Sequence, residues 1–149
     1  MATLKDRIAV DLKAAMKARD QLRLDTLRSA LSGFTYKRSE AGRDLSDQDE
    51  LDVVGRLVKQ RADSATEFDK AGRTDLSDKE RAERAILMEY LPAQKSPEEI
   101  REAVRAAIVE IPEGSRNVGA VMKVVLPQMR GLADGNAVRQ IVSEELASN

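Results

Sequence analysis

Leu91-Pro92-Ala93-Gln94-Lys95-Ser96-Pro97-Glu98-Glu99 ends one helix and begins another within a few residues. Pro92 has no N–H with which to continue a helix, and its ring pushes Leu91 out of the α region. Ser96 offers an N-cap oxygen, Pro97 suits the first helical turn, and Glu99 completes a capping box. This stretch predicts an all-α chain in two parts, an N-terminal helical domain over 1–92 and a C-terminal domain over 96–149. The joint at 92–95 is expected to be flexible.

Outward from that joint, the apolar spacing follows the helical period throughout. Before it, four amphipathic helices are expected. Leu4, Ile8, Leu12, Ala15 and Met16 share the inner face of the first, with Thr3 as cap. Asp20 caps the second, whose stripe is Leu24, Leu27, Leu31 and Phe34 and which Gly42 closes; Gly33 within it permits a close helix crossing. Ser46 with Asp49 starts the third, lined by Leu51, Val54, Val58, Ala62, Ala65 and Phe68, with Gly72 at its left-handed end. Ser77-Asp78-Lys79-Glu80 reads as a capping box for the fourth, through Ala82, Ile86 and Tyr90.

After the joint, three more helices are expected. Ile100, Ala103, Val104, Ala107, Ile108 and Ile111 line the first. Asn117 caps the next, with Val118, Val121, Met122 and Val125 inward and Pro127 bending or ending it. Asp134 caps the last, lined by Val138, Ile141, Val142 and Leu146. No stretch alternates with period two, so no sheet is expected. A tail of this size buries only about 60% of its unfolded surface, so its own stability is marginal.

Composition excludes much chemistry. The 149 residues contain no His, no Cys and no Trp. A histidine-based triad, a two-His metalloprotease site and a zinc deaminase site are therefore impossible, as are thiolate nucleophiles. No glycine-rich phosphate loop occurs, so neither cofactor nor metal is expected. Asp47, Asp49, Glu50 and Asp52 cluster in one helical turn, where acidic residues already complement the helix dipole. Ser64 and Lys59 lie too far apart around their helix to act as a nucleophile and base. The chain has no apolar run of membrane-spanning length and no signal-like N-terminus, so no membrane partner is expected; with the absence of Cys, this predicts a cytoplasmic protein.

Net charge is −1, but residues 1–43 hold ten Lys and Arg against five Asp and Glu, a balance of +5. Residues 44–95 stand at −4 and residues 96–149 at −2. In the tail, Arg116, Lys123, Arg130 and Arg139 are the candidate phosphate contacts beside the turn Gly131–Gly135. In the second helix, Arg23, Arg28, Lys37 and Arg38 lie largely off the apolar stripe and are the second group of candidate nucleic-acid contacts.

Several short motifs recur in a recognisable order: Arg28-Ser29-Ala30-Leu31, Lys59-Gln60-Arg61-Ala62-Asp63-Ser64, Phe68-Asp69-Lys70-Ala71-Gly72-Arg73, Tyr90-Leu91-Pro92, Gly119-Ala120-Val121-Met122 and Gly131-Leu132-Ala133-Asp134-Gly135. With them the chain resembles the GatB/YqeY family over essentially its whole length. The resemblance implies a tail similar to that of the B subunit of the aspartyl/glutamyl-tRNA amidotransferase, which contacts tRNA. That enzyme is a carbon–nitrogen ligase with glutamine as amido donor. Its kinase, transamidation and glutaminase parts have no counterpart here, so a non-catalytic tRNA-binding accessory protein is expected. Its partner would be tRNA or a tRNA-handling protein complex, and the alternative is a helical protein–protein adaptor. Ala120 and Leu132 stand where the family often carries Lys and Arg.

Overall fold

A computed structural model describes residues 2–148. Among these, the regular elements are α1 (Leu4–Ala18), α2 (Gln21–Ala41), α3 (Asp47–Lys70), α4 (Thr74–Met88), α5 (Pro97–Glu110), a 3-10 turn (Glu113–Ser115), α6 (Val118–Met129) and α7 (Gly135–Ser148). The fold class is all-α, as the periodicity implies. The helices group into two compact units, one ending at Leu91 and the other beginning at Pro92.

Local chemistry explains most helix ends. Thr3 accepts the N–H of Asp6 at 3.1 Å, and the Asp6 carboxylate accepts the N–H of Thr3 at 3.2 Å. Ser46 with Asp49 and Ser96 with Glu99 form the same reciprocal boxes. Asp20 and Asn117 accept from Arg23 and Ala120 as simple caps. Gly42 and Gly72 hold the left-handed positions that end α2 and follow α3, with φ of 67° and 72°.

Two local expectations are corrected, the start of α4 and the inward place of Met16. α4 begins at Thr74 rather than after Ser77, and its N-cap residue Arg73 makes no side-chain capping bond. Ser77 is fully buried inside that helix, where its hydroxyl donates to the Thr74 carbonyl at 3.1 Å. The Ser77–Glu80 pattern imitates a cap, but the helix has already begun at Thr74. α6 runs through Pro127 to Met129. The missing N–H there removes only one bond, to the Lys123 carbonyl, near a helix end. Met16 is 52% exposed and points outward, because Ala15 takes the inner position.

In the N-terminal unit the core gathers Leu4, Ile8, Leu27, Ala30, Phe34, Val53, Val54, Ile86, Leu87 and Tyr90. Gly33 lets α2 and α3 approach: a Cβ there would lie 3.0 Å from Val53 Cγ1. Tyr90 closes the unit at its C-terminal end. Its hydroxyl donates to Asp11 Oδ2 at 2.5 Å, and the Arg7 guanidinium lies 5.5 Å from its ring centroid. Burial first, and then the bond to Asp11, push the phenol above its ordinary pKa, so Tyr90 is a donor at any physiological pH.

The C-terminal unit has its own core of Ile100, Val104, Ala107, Ile108, Val121, Met122, Val125, Met129, Val138, Ile141 and Val142. The segment that leads into it is tied to it. The Lys95 N–H donates to the Leu132 carbonyl at 2.8 Å, and Gln94 Nε2 donates to the carbonyls of Pro92 at 2.8 Å and Gly131 at 3.1 Å.

Two glycines on facing helices give a test. Nothing lies within 4 Å of a Cβ built at Gly55. Gly55→Ala should therefore raise stability by about 0.5–1 kcal/mol, the usual gain in a helix interior. Gly33→Val should lower it by roughly 1–3 kcal/mol, because the added methyls meet Val53. Urea unfolding of both variants measures the difference.

Candidate nucleic-acid interface

The C-terminal unit sorts its charges into two groups. The first is a clamp between α5 and α7. Arg101 Nη1 donates to Glu145 Oε1 at 2.6 Å and Arg101 Nη2 to Glu144 Oε2 at 2.7 Å, while Arg105 Nε reaches Glu145 Oε2 at 3.0 Å. Glu145 is 6% exposed, so both its oxygens need these donors. The bond from Arg105, then that from Arg101, holds its carboxyl below the usual glutamate range; Arg101 does the same for Glu144. Two arginines and two glutamates are thereby committed to the fold.

The second group lies on α6 and its flanking turns. From Gly114 to Ala133 the chain carries Arg116, Lys123 and Arg130 and no carboxylate. Arg116 is half-buried, and its Nε donates to the Ile111 carbonyl at 2.8 Å, closing the C-terminal end of α5. Lys123 is exposed on the outer face of α6 and makes no ion pair with any described residue. Arg130 is the exposed C-cap residue of α6 and has an electrostatic or hydrogen-bonding partner of its own. Immediately after it, Gly131 adopts φ 77°, and the N–H groups of Leu132 and Ala133 both return to the Met129 carbonyl. This left-handed turn is the one that the 94–95 segment grips. Arg139 follows on α7, exposed and without an ion pair among the described residues. The Asp134 carbonyl accepts the Val138 N–H at 3.1 Å at the start of α7.

The α2 candidates are mostly engaged. Arg23 pairs with Glu89 at 3.1 Å and Asp20 at 3.6 Å, Lys37 with Glu40 at 3.6 Å, and Arg38 with Asp44 at 2.9 Å. Arg28 alone of the four is exposed without such a partner among the described residues.

The 28–31 motif of α2, the 59–64 motif of α3 and the acids of α4 meet at Arg61. Its Nη2 donates to Ser29 Oγ at 3.2 Å, and its Nε lies 2.8 Å from Glu83 and 3.6 Å from Glu80. The acidic turn of α3 is likewise structural. Asp49 serves the capping box and Arg43, and the buried Glu50 accepts the Lys5 N–H at 3.3 Å. No group of three potential metal ligands occurs among the described residues, and no helix there is long and apolar enough to cross a membrane.

The family model described as Yqey-like protein matches residues 5–146. The chain belongs to the YqeY-like family. Its curated relatives include fungal proteins named "Altered inheritance of mitochondria protein 41, mitochondrial". That of Clavispora lusitaniae is 38% identical over 127 residues, covering 82% of this chain and 74% of the relative. That of Pyrenophora tritici-repentis is 30% identical over 142 residues, covering 93% and 78%. That of Kluyveromyces lactis is 44% identical over 104 residues, covering 68% of this chain and 54% of the relative.

These names overturn the expectation of a cytoplasmic protein, since the relatives are named as mitochondrial. The expectation rested on missing cysteines and a missing signal segment. Neither feature encodes an address.

Sequence reasoning missed the Arg101–Arg105–Glu144–Glu145 clamp in this YqeY-like chain. Its only local trace is Glu145, a glutamate at an inward position of α7 between Val142 and Leu146 of the apolar stripe. The clamp predicts an acid response. The carboxyls of Glu144 and Glu145 titrate lower in the folded unit than the value of about 4.3 they have when unfolded. Their stabilisation is complete above that value and is lost as pH falls through the lower, folded one. Glu145→Gln should therefore melt below wild type at pH 7, and the gap should narrow as pH falls below about 4.3. Calorimetric melting across that range checks it.

Proposed function

We propose that this YqeY-like protein binds tRNA through its C-terminal unit and catalyses no reaction itself. It would act as an accessory to tRNA-handling machinery of the glutamine-dependent amidotransferase kind, the carbon–nitrogen ligase to which its motifs point. The observation that supports this reading is the segregation of charge within the unit. Glu144 and Glu145 are neutralised by Arg101 and Arg105, whereas the stretch from Gly114 to Ala133 has three cations and no carboxylate. The formal balance of the tail therefore understates the positive potential available along α6.

Each candidate takes a definite role. Lys123 and Arg139 contact phosphates directly, and Arg130 presents the turn at Gly131 to the backbone. Arg116 sets the entry to α6 by holding the Ile111 carbonyl. Ala120 and Leu132 supply no charge, so the affinity is modest and salt-sensitive. The absence of His and Cys from the sequence favours binding over chemistry.

The test is an anisotropy titration of labelled tRNA against the full chain at several salt concentrations. Lys123→Glu with Arg139→Glu should weaken binding and reduce the magnitude of the salt slope by about 1.4–1.8, the share of two phosphate contacts. Helicity should be unchanged, because both side chains are exposed. Absence of wild-type binding at low salt would remove the tRNA reading and leave a protein–protein adaptor in its place.

A further inference from the structure

The positive excess of residues 1–43 includes a group on α1 in a form that α2 does not offer. From Thr3 to Arg19 the chain carries Lys5, Arg7, Lys13, Lys17 and Arg19 against Asp6 and Asp11 alone. Both carboxylates are occupied internally. Asp6 closes the capping box with Thr3, and Asp11 accepts the Tyr90 hydroxyl. Arg7 lies over the Tyr90 ring. Lys13, Lys17 and Arg19 remain exposed, and none has an ion pair among the described residues.

Their placement is specific. Leu4, Ile8 and Ala15 fix the buried face of α1. At about 100° per residue, Lys13 and Lys17 point almost directly away from it. They stand one helical turn apart, with Cβ atoms separated by about 5–6 Å, which suits neighbouring phosphates on one strand. Arg19 follows at the helix end, where a φ of 57° turns the chain.

We infer that the outer face of α1 is a contact surface for an RNA phosphodiester backbone, with Lys13 and Lys17 as paired contacts and Arg19 as a third. The occupant follows from charge complementarity and from what the face lacks. Ile8 is fully buried and Ala15 nearly so, which leaves Val10 and Met16 as the exposed large apolar side chains of α1. A helix that lies in a bilayer surface needs an apolar face to bury, and this one spends its apolar face on the core. A tight protein partner would want an aromatic or large apolar anchor, and the Lys13–Lys17 face has only Val10. The choice of RNA over other polyanions rests on the function proposed above; the placement of charge on α1 does not.

The full chain should be titrated with labelled bulk tRNA at several salt concentrations, and separately sedimented with phosphatidylglycerol vesicles. Lys13→Glu with Lys17→Glu is compared with Lys70→Glu plus Lys79→Glu, which makes the same charge change on α3 and α4. The α1 pair should weaken tRNA binding by roughly fivefold or more and lower the salt-slope magnitude by about 1.4–1.8. The control pair should stay within about twofold of wild type. Lys13→Gln with Lys17→Gln, which adds no negative charge, should reproduce the change in slope. Equal losses in both reversed pairs would overturn the inference in favour of net charge alone. Unchanged tRNA binding in the α1 pair would also overturn it, and vesicle binding lost in that pair would then assign the face to lipid. Failure of the tail reading looks different: the Lys123 and Arg139 variant would bind normally while the α1 pair did not.

Discussion

A buried carboxylate that must find hydrogen-bond donors ties together distant parts of each unit. Glu145 is 6% exposed and draws α5 onto α7 through Arg101 and Arg105; Glu50 is 5% exposed and takes the first-turn N–H of Lys5, joining α3 to α1. A buried carboxylate left without a donor is destabilising, so each packing arrangement depends on its donor being delivered to it. This requirement is more exacting than apolar contact. Valine against leucine tolerates many arrangements, whereas two carboxylate oxygens accept few.

The same requirement decides which charges are available for binding. Arginines drawn to buried or half-buried glutamates, such as Arg61 beside Glu83, are committed to holding helices in place. Surface pairs such as Arg38 with Asp44 are individually weak, yet they still compete with an incoming phosphate. Among the described residues, Lys13, Lys17 and Arg19 at α1, Arg28 on α2, Lys123 on α6 and Arg139 on α7 are exposed and without an ion pair. A chain of net charge −1 can therefore present positive faces.

The sequence was most legible where information is local. Thr3, Asp20, Ser46, Ser96 and Asn117 all cap the helices expected of them, because a cap reads only the next three residues. The apolar stripe of α5 is found buried in the same register. Ser77 misled because its spacing to Glu80 matches a cap, while the helix had already begun in the preceding turn. Met16 misled because Ala15 and Met16 are equally apolar neighbours and only packing chooses between them. Leu87 and Met129 are buried although the expected stripes passed over them, for the same reason.

The sequence by itself determined the helices, most of their limits, the break at Pro92 and the absence of histidine and thiol chemistry. Each of these depends on residues within a turn or two of one another, or on composition. Only the tertiary structure decided which cations are committed and which are exposed. Arg101 and Glu145 are 44 residues apart, and Tyr90 and Asp11 are 79 apart. No local pattern links such pairs, because their meeting depends on how helices cross, and that is set by the volumes of side chains elsewhere in the core. Arg23 and Lys13 look alike in the sequence; the fold brings Glu89 to the first and leaves the second facing solvent.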